Sequence, residues 1–205
     1  MIIPKGIFNF ENYSIKEVRN KEEEKTFKNL WIKIWIDEGY IGRDKTFEDI
    51  RKHYSLYDKY SRDFILYFNS NPIGTIRVIF PNQEIDLPVI KDFKIIKDFD
   101  KNSAEFTLFT LVQEFRSKRA KHIPSLMLMR AAYRCVRKND ITGILMAADF
   151  RLFSLLNKLF EVKIIGPPQF YEGSKTIPAF IDIPSGEKKL QKTNPMLYKF
   201  FVIDS

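Results

Sequence analysis

The stretch AEFTLFTLVQEFRSKRAKHIPSLMLMRAAYRCVRK, residues 104–138, decides the fold of this chain. Residues 104–112 form an apolar run with aromatic and β-branched side chains, which predicts a central strand. A basic loop follows, and Pro124 is suited to the first position of a helix that continues to about Asn139. A strand, a loop and a helix in this order indicate an α/β layer in which the helix packs on a sheet.

The elements that flank this stretch extend the same architecture. Apolar residues at three- and four-residue spacing from Phe27 to Trp35 predict an amphipathic helix, and Asp149 is suited to cap a later one. The other predicted strands span residues 63–68, 73–80, 143–148, 162–165 and 177–183. Besides the helix that begins at Pro124, the predicted helices span residues 21–37, 47–57, 150–160 and 196–201. The strands at residues 63–68 and 73–80 are predicted to form a hairpin, so we expect a mixed sheet.

Size and composition indicate one ordinary globular domain over residues 1–205, with 44% hydrophobic and 29% charged residues. No window reaches the roughly 18 consecutive apolar residues of a membrane span, and the N-terminus lacks the pattern of a signal peptide. We therefore expect a cytoplasmic protein without a transmembrane segment. The single cysteine, Cys135, and two histidines do not make a convincing zinc set, so we expect no metal site.

Positive charge is concentrated in one part of the chain. The net charge is +8, and residues 116–138 contain eight Lys and Arg residues and no Asp or Glu. Such a segment favours an anionic partner, which could be nucleic acid, a phosphorylated cofactor, an acidic carrier protein or an anionic membrane surface. A solvated helix face is the alternative, and charge alone does not choose among these.

Several motifs recur in the order and spacing of a known superfamily. They are LWIKIW with EGYI at residues 30–35 and 38–41, DKYS at 58–61, IGTIR at 73–77, and residues 105–119. In these motifs the chain resembles the GNAT acyltransferases, and more closely their branch of N-acyl amino acid synthases and acyl-homoserine-lactone synthases. The resemblance implies an α/β fold with a mixed, mostly antiparallel sheet and helices on both faces. It also implies an N-acyltransferase without a permanently bound cofactor.

The resemblance further implies both substrates. The donor is a fatty acyl group carried as a phosphopantetheine thioester on acyl carrier protein or as acyl-CoA, and the acceptor is the amine of a small, amino-acid-like molecule. Ordinary acetyl-CoA users of the superfamily carry two glycines in the loop before the helix, where Arg119 and Lys121 stand here. This departure favours side-chain contacts with the phosphopantetheine arm or a carrier surface over a backbone cradle for pyrophosphate.

Glu105 is the candidate catalytic base of this reaction, because amide formation from a thioester requires removal of a proton from the amine. Strand alternation predicts that Thr107 and Phe109 share its face. The family's acidic-any-Ser-Arg pattern here ends in Leu108, so an Arg of the acceptor side is missing. Arg77 stands in an apolar strand and requires a carboxylate partner, which could be Glu105, the acceptor or a structural ion pair.

The candidate site residues fall into two further groups. Those expected to contact the donor are Leu111, Val112, Arg116, Ser117, Lys118, Arg119 and Lys121. Those expected to contact the acceptor or the acyl chain are Trp31, Trp35, Asp58, Arg77 and Thr107.

Two other functions remain open at the level of sequence. One is an acyl-homoserine-lactone synthase that uses S-adenosylmethionine. The other is a non-catalytic module that binds a carrier protein or nucleic acid. Nucleic acid is the less favoured partner, because the basic segment has no recognised nucleic-acid motif and no interleaved exposed aromatic residues.

Overall fold

The computed structural model describes residues 11–40, 46–116 and 122–203. The strands are β1 (Tyr13–Glu17), β2 (Ser61–Phe68), β3 (Asn71–Ile79), β4 (Ser103–Leu111), β5 (Gly143–Asp149), β6 (Val162–Ile164), β7 (Gln169–Tyr171) and β8 (Ser174–Asp182). The helices are α1 (Lys21–Asp37), α2 (Phe47–Ser55), α3 (Pro88–Asp92), α4 (Ile123–Lys138), α5 (Phe150–Leu159), α6 (Ile183–Thr193) and α7 (Pro195–Tyr198), which continues into a π-helical turn, Lys199–Ile203.

The described strands form one mixed sheet in the order β1-β2-β3-β4-β5-β8-β6, with β7 also paired to β8. Every described pair is antiparallel except β4 with β5. The predicted fold class, a mixed and mostly antiparallel sheet with helices on both faces, is therefore confirmed. No helix among the described residues is long and apolar enough to cross a membrane.

Local signals explain why the predicted helices form where they do. Asn20 caps α1 by accepting a hydrogen bond from the backbone N–H of Glu23 at 2.9 Å. Asp149 caps α5 as predicted, since its side chain accepts from the backbone N–H of Leu152 at 2.8 Å. Pro124 lies in the first turn of α4, where its missing N–H costs no helical hydrogen bond.

Four elements were not predicted, and α2 ends at Ser55 instead of residue 57. The unpredicted elements are β1, α3, β7 and α6. The α6 sequence IPSGEKKLQKT carries a proline and a glycine that are typical of turns, but Asp182 caps it by accepting from the backbone N–H of Ser185. The other three elements are only three to five residues long, which is too short for a clear periodic pattern.

Helices cover both faces of the sheet. On one face Phe64 and Leu66 of β2 belong to the core cluster that includes Leu128 of α4, while on the other face Ile65 packs with Trp31 of α1. Because successive residues of a strand point to opposite faces, β2 is buried from both sides.

The two central strands diverge in the middle of the sheet. β4 pairs with β5 only from Ser103 with Gly143 to Glu105 with Leu145. Beyond this point β4 remains paired with β3, and β5 remains paired with β8 along its whole length. The sheet therefore opens next to Glu105.

A β-bulge in β4 changes which side chains share a face. The register with β3 shifts between Thr75 and Arg77, and Leu108 has a positive φ of 47°. Leu108 consequently packs in the α1 cluster, whereas Phe109 packs against the cluster on the α4 face. The expectation that Phe109 shares the face of Glu105 and Thr107 is wrong, because simple alternation does not hold across a bulge.

Candidate active site

A cavity of about 880 Å³ lies where β4 and β5 diverge. Its walls come from β4, the end of β5, helix α5, the β7–β8 hairpin and the aromatic side chains of Trp35 and Tyr54. A smaller apolar cavity of about 50 Å³ adjoins it and shares some of its lining residues. The opening in the sheet is therefore the site of a cavity that combines polar groups with an apolar extension.

Glu105 lines this cavity and is only 1% exposed. Its Oε2 accepts a hydrogen bond from the backbone N–H of Val89 at 2.9 Å. Burial raises the pKa of this carboxyl to about 8, and the negative charges of Asp92 and Glu172 add to the effect. A carboxyl with such a pKa exchanges its proton near neutral pH, as a general base must.

Tyr54 and Glu172 form the polar wall beside Glu105. The hydroxyl of Tyr54 donates to Oε2 of Glu172 at 3.3 Å, and it also hydrogen-bonds with the side chains of Thr107 and Tyr171. Burial raises the pKa of Tyr54 well above its ordinary value, and the charges of Glu172 and Glu105 raise it further. Tyr54 therefore keeps its proton and serves as a hydrogen-bond donor in the cavity.

Asp92 is a further carboxylate near Glu105, and it contacts Tyr171. Its Oδ2 accepts from the Tyr171 hydroxyl at 2.7 Å and lies 3.4 Å from Nε2 of His53. Although burial alone would raise the pKa of Asp92, the nearby His53 side chain and the hydrogen bond from Tyr171 lower it. A negative charge therefore persists close to Glu105.

Basic residues line other parts of the cavity. The described Lys and Arg residues in its lining are Arg116, Arg151 and Lys158, which stand in the segment after β4 or on α5. Arg116 is anchored by an ion pair of 2.8 Å from its Nη1 to Glu38, and its Nε donates to the carbonyl of Leu111. Arg116 is therefore already paired, whereas Arg151 and Lys158 are exposed and can contact an anionic group.

The structure brings together only part of the predicted site. Glu105, Thr107, Leu111, Trp35 and Arg116 line the cavity. Trp31 lies instead in the core beside Trp35, with ring centroids 5.2 Å apart, and Val112 packs against the α4 cluster. Ser117, Lys118, Arg119 and Lys121 lie outside the described residues.

Arg77 is held in a structural ion-pair network and does not line the cavity. Its Nε and one Nη each lie 2.7 Å from Asp63, the same Nη lies 2.9 Å from Asp58, and the other Nη donates to the carbonyl of Tyr54 at 2.8 Å. Asp58 also pairs with Lys28 at 2.9 Å. Of the three alternatives for Arg77, the structural ion pair is the one observed. Neither Arg77 nor Asp58 lines the cavity, and their contact with substrate stays a prediction.

Sequence reasoning missed Tyr54, Tyr171 and Glu172. Glu172 and Gly173 form the two-residue turn between β7 and β8, with φ values of 45° and 75°. Gly173 between two short runs with aromatic and β-branched residues is the signal that indicates this turn. No local pattern indicates that this turn reaches Tyr54.

Residues 29–181 match the family model of the N-acyl amino acid synthase FeeM. The chain belongs to this family. It is therefore an N-acyltransferase that uses a thioester donor, which confirms the resemblance found in the sequence. No curated protein matches the sequence.

Solved structures share the fold at low sequence identity. FeeM from uncultured soil microbes has a TM-score of 0.65 at 13% identity, covering 92% of this chain and 97% of that chain. The acyl-homoserine-lactone synthase LasI has a TM-score of 0.62 at 12% identity, covering 88% and 94%. The CoA-dependent synthase BjaI, solved with SAM and isopentyl-CoA, has a TM-score of 0.59 at 15% identity, covering 90% and 89%.

Proposed function

We propose that this protein transfers a long-chain acyl group from acyl carrier protein to the amine of an amino-acid-like acceptor, with Glu105 as the general base. The observation that carries the proposal is the buried Glu105 carboxyl, which lines the cavity at the divergence of β4 and β5 and has a pKa of about 8. A base of this kind can take a proton from an amine that is bound in the cavity.

In the proposed reaction the amine nitrogen attacks the thioester carbonyl carbon, and the electron pair of the C=O bond moves to oxygen. Glu105 accepts the proton that the nitrogen loses, directly or through a water molecule. The tetrahedral intermediate then expels the thiolate, which takes up a proton and leaves as the free thiol. Tyr54 supports this scheme, because it lines the cavity and keeps a hydroxyl proton that can be donated to developing negative charge.

The apolar lining of the site favours a long acyl chain. Phe106, Met129, Met146 and Leu156 line both the main cavity and its apolar extension. Each methylene group that is buried there contributes about 0.8 kcal/mol, so a long chain gains several kcal/mol over an acetyl group. The two methionines are flexible enough to adapt to the chain end.

The choice of carrier protein rests on charge. Arg119 and Lys121 replace glycines that would bring backbone N–H groups close to a diphosphate. A carrier-bound phosphopantetheine presents a single phosphodiester, which Arg and Lys side chains can contact without close backbone approach. The net charge of +8 also favours an acidic protein partner.

The test compares donors at equal concentration. Acetyl-CoA, long-chain acyl-CoA and long-chain acyl carrier protein are each incubated with a panel of amino acids, and thiol release and products are followed by mass spectrometry. We expect N-acyl amides, formed fastest from acyl carrier protein. A preference for acetyl-CoA would contradict the donor assignment, an acyl lactone formed from S-adenosylmethionine would identify a lactone synthase, and the absence of turnover with every donor would identify a binding module.

A further inference from the structure

The first turn of helix α3 holds the Glu105 carboxyl. The backbone N–H of Val89 donates to Oε2 of Glu105 at 2.9 Å, and both residues line the cavity. Because this N–H belongs to the first turn of the helix, it has no partner within the helix and is free to donate to a side chain. The orientation of the Glu105 carboxyl therefore depends on where α3 places the Val89 N–H.

Helix α3 is too short to keep this position by itself. It has five residues, which is little more than one turn. Its helical hydrogen bonds include those from the N–H groups of Ile90 and Lys91 to the carbonyl of Leu87. So few bonds do not offset the entropy that is lost when a helix begins, and isolated helices of this length are unstable. The position of the Val89 N–H is therefore fixed by contacts that α3 makes with its neighbours.

Polar contacts of α3 converge on Asp92, the last residue of the helix. Its Oδ2 accepts from the Tyr171 hydroxyl at 2.7 Å and lies 3.4 Å from Nε2 of His53. Its backbone carbonyl accepts from Nε2 of Gln169 at 2.7 Å. The ring of Phe93, the next residue, lies 5.0 Å from the ring of Tyr171. Asp92 thus joins α3 to helix α2 and to strand β7.

These contacts determine how α3 is rotated about its axis. Val89 belongs to a buried apolar cluster that includes Leu145 and Phe180, which keeps the helix against the sheet. Apolar packing is non-directional, whereas hydrogen bonds require aligned donors and acceptors. Asp92 lies three residues after Val89 and therefore on the same side of the helix. The bonds at Asp92 consequently set the direction of the Val89 N–H.

We infer that Asp92 is a positioning residue, which holds the Val89 N–H against Glu105 through α3 and so fixes the orientation of the proposed base. Asp92 does not line the cavity, so it acts through Glu105 and not by touching substrate. The inference rests on the proposed function, because it concerns the base of the same reaction. The charge of Asp92 also raises the pKa of Glu105, so variants with and without its hydrogen bonds have to be compared.

Amide hydrogen exchange, followed by NMR without any substrate, tests the positioning directly. Asp92→Ala removes the bond to Tyr171, so the Val89 amide should exchange about tenfold faster, a factor that corresponds to the loss of one hydrogen bond. Asp92→Asn keeps an oxygen that accepts from Tyr171, so it should keep the slow exchange of the wild type. The control Asp98→Ala, which alters an exposed carboxylate outside the cavity, should leave the exchange unchanged.

Turnover shows whether Asp92 acts through Glu105. At pH 9, where Glu105 is largely ionised, Asp92→Ala should lower kcat about tenfold or more with little change in KM, because a small displacement of a reacting group is costly. When Glu105→Gln is already present, Asp92→Ala should lower kcat no further, since residues that act as a unit are not additive. A contact that serves stability alone would instead lower kcat equally in both backgrounds, and this result would overturn the inference.

The exchange measurement separates this inference from the proposed function. Faster exchange that is confined to Val89 and its neighbours in α3 supports the inference, even if Glu105→Gln is fully active and the proposed function fails. Wild-type exchange of Val89 in Asp92→Ala overturns the inference, while acylation itself supports the proposed function. An equal acceleration at the amides of β2 and β3, together with a lower Tm, also overturns it, because Asp92 would then stabilise the whole sheet.

Discussion

Replacing Glu105 by glutamine should change activity and stability in opposite directions. Glutamine keeps the shape of the side chain and an oxygen that can accept from the backbone N–H of Val89. It removes the proton acceptor, so turnover should fall about 100-fold or more. It also removes an ionisable group from a site where ionisation is costly, so the folded protein should tolerate high pH better.

The magnitude follows from the pKa of Glu105, which rises from an ordinary value of 4.5 to about 8 in the folded protein. A carboxyl whose pKa is raised by folding contributes stability below the unfolded value, and this contribution is lost as the pH rises through the folded value. At 1.36 kcal/mol per pKa unit, ionisation of Glu105 lowers the free energy of unfolding by about 1 kcal/mol at pH 5 and by about 4 kcal/mol at pH 8. The free energy of unfolding of Glu105→Gln, relative to that of the wild type, should therefore rise by on the order of 3 kcal/mol from pH 5 to pH 8.

Urea denaturation of both proteins at pH 5 and pH 8 measures this difference, and thiol release measures turnover. Glu84→Gln is the matched control, because Glu84 is an exposed carboxylate outside the cavity and should show neither effect. A fully active glutamine variant would remove Glu105 from the mechanism. A free energy of unfolding that differs from the wild type by the same amount at both pH values would refute the argument that Glu105 is buried as a high-pKa acid.

The remaining predictions concern binding, packing and the carrier. Binding of an ammonium acceptor at pH 7 should release about one proton, because a cation lowers the pKa of Glu105 from about 8; calorimetry in two buffers measures it, and Glu105→Gln should release none. Arg77→Met should lower the free energy of unfolding by about 3–5 kcal/mol in urea denaturation, because it leaves Asp63 buried without its cation. Lys118→Glu with Arg119→Glu should raise KM for acyl carrier protein more than for acyl-CoA, and equal effects would argue against carrier recognition.

Most of the fold could be predicted because its signals are local. The bounds of α1 follow from the spacing of its apolar residues and from the polar first turn after Asn20. The hairpin of β2 and β3 follows from two aromatic and β-branched runs around a short polar turn. The position of Glu105 on a central strand was also predictable, and the family resemblance assigned its chemistry. The bulge at Leu108 was not, since it depends on how β4 fits against β3.

The sequence by itself therefore determined the elements, the superfamily and the candidate base. Only the tertiary structure decided that Arg77 pairs with Asp63 and Asp58 outside the cavity, and that Glu172 joins Glu105 inside it. Periodicity and capping act over a few residues, so they can be recognised in the sequence. The partner of a buried charge depends on strand order and register across the whole sheet, and no local pattern specifies which distant side chains these bring together.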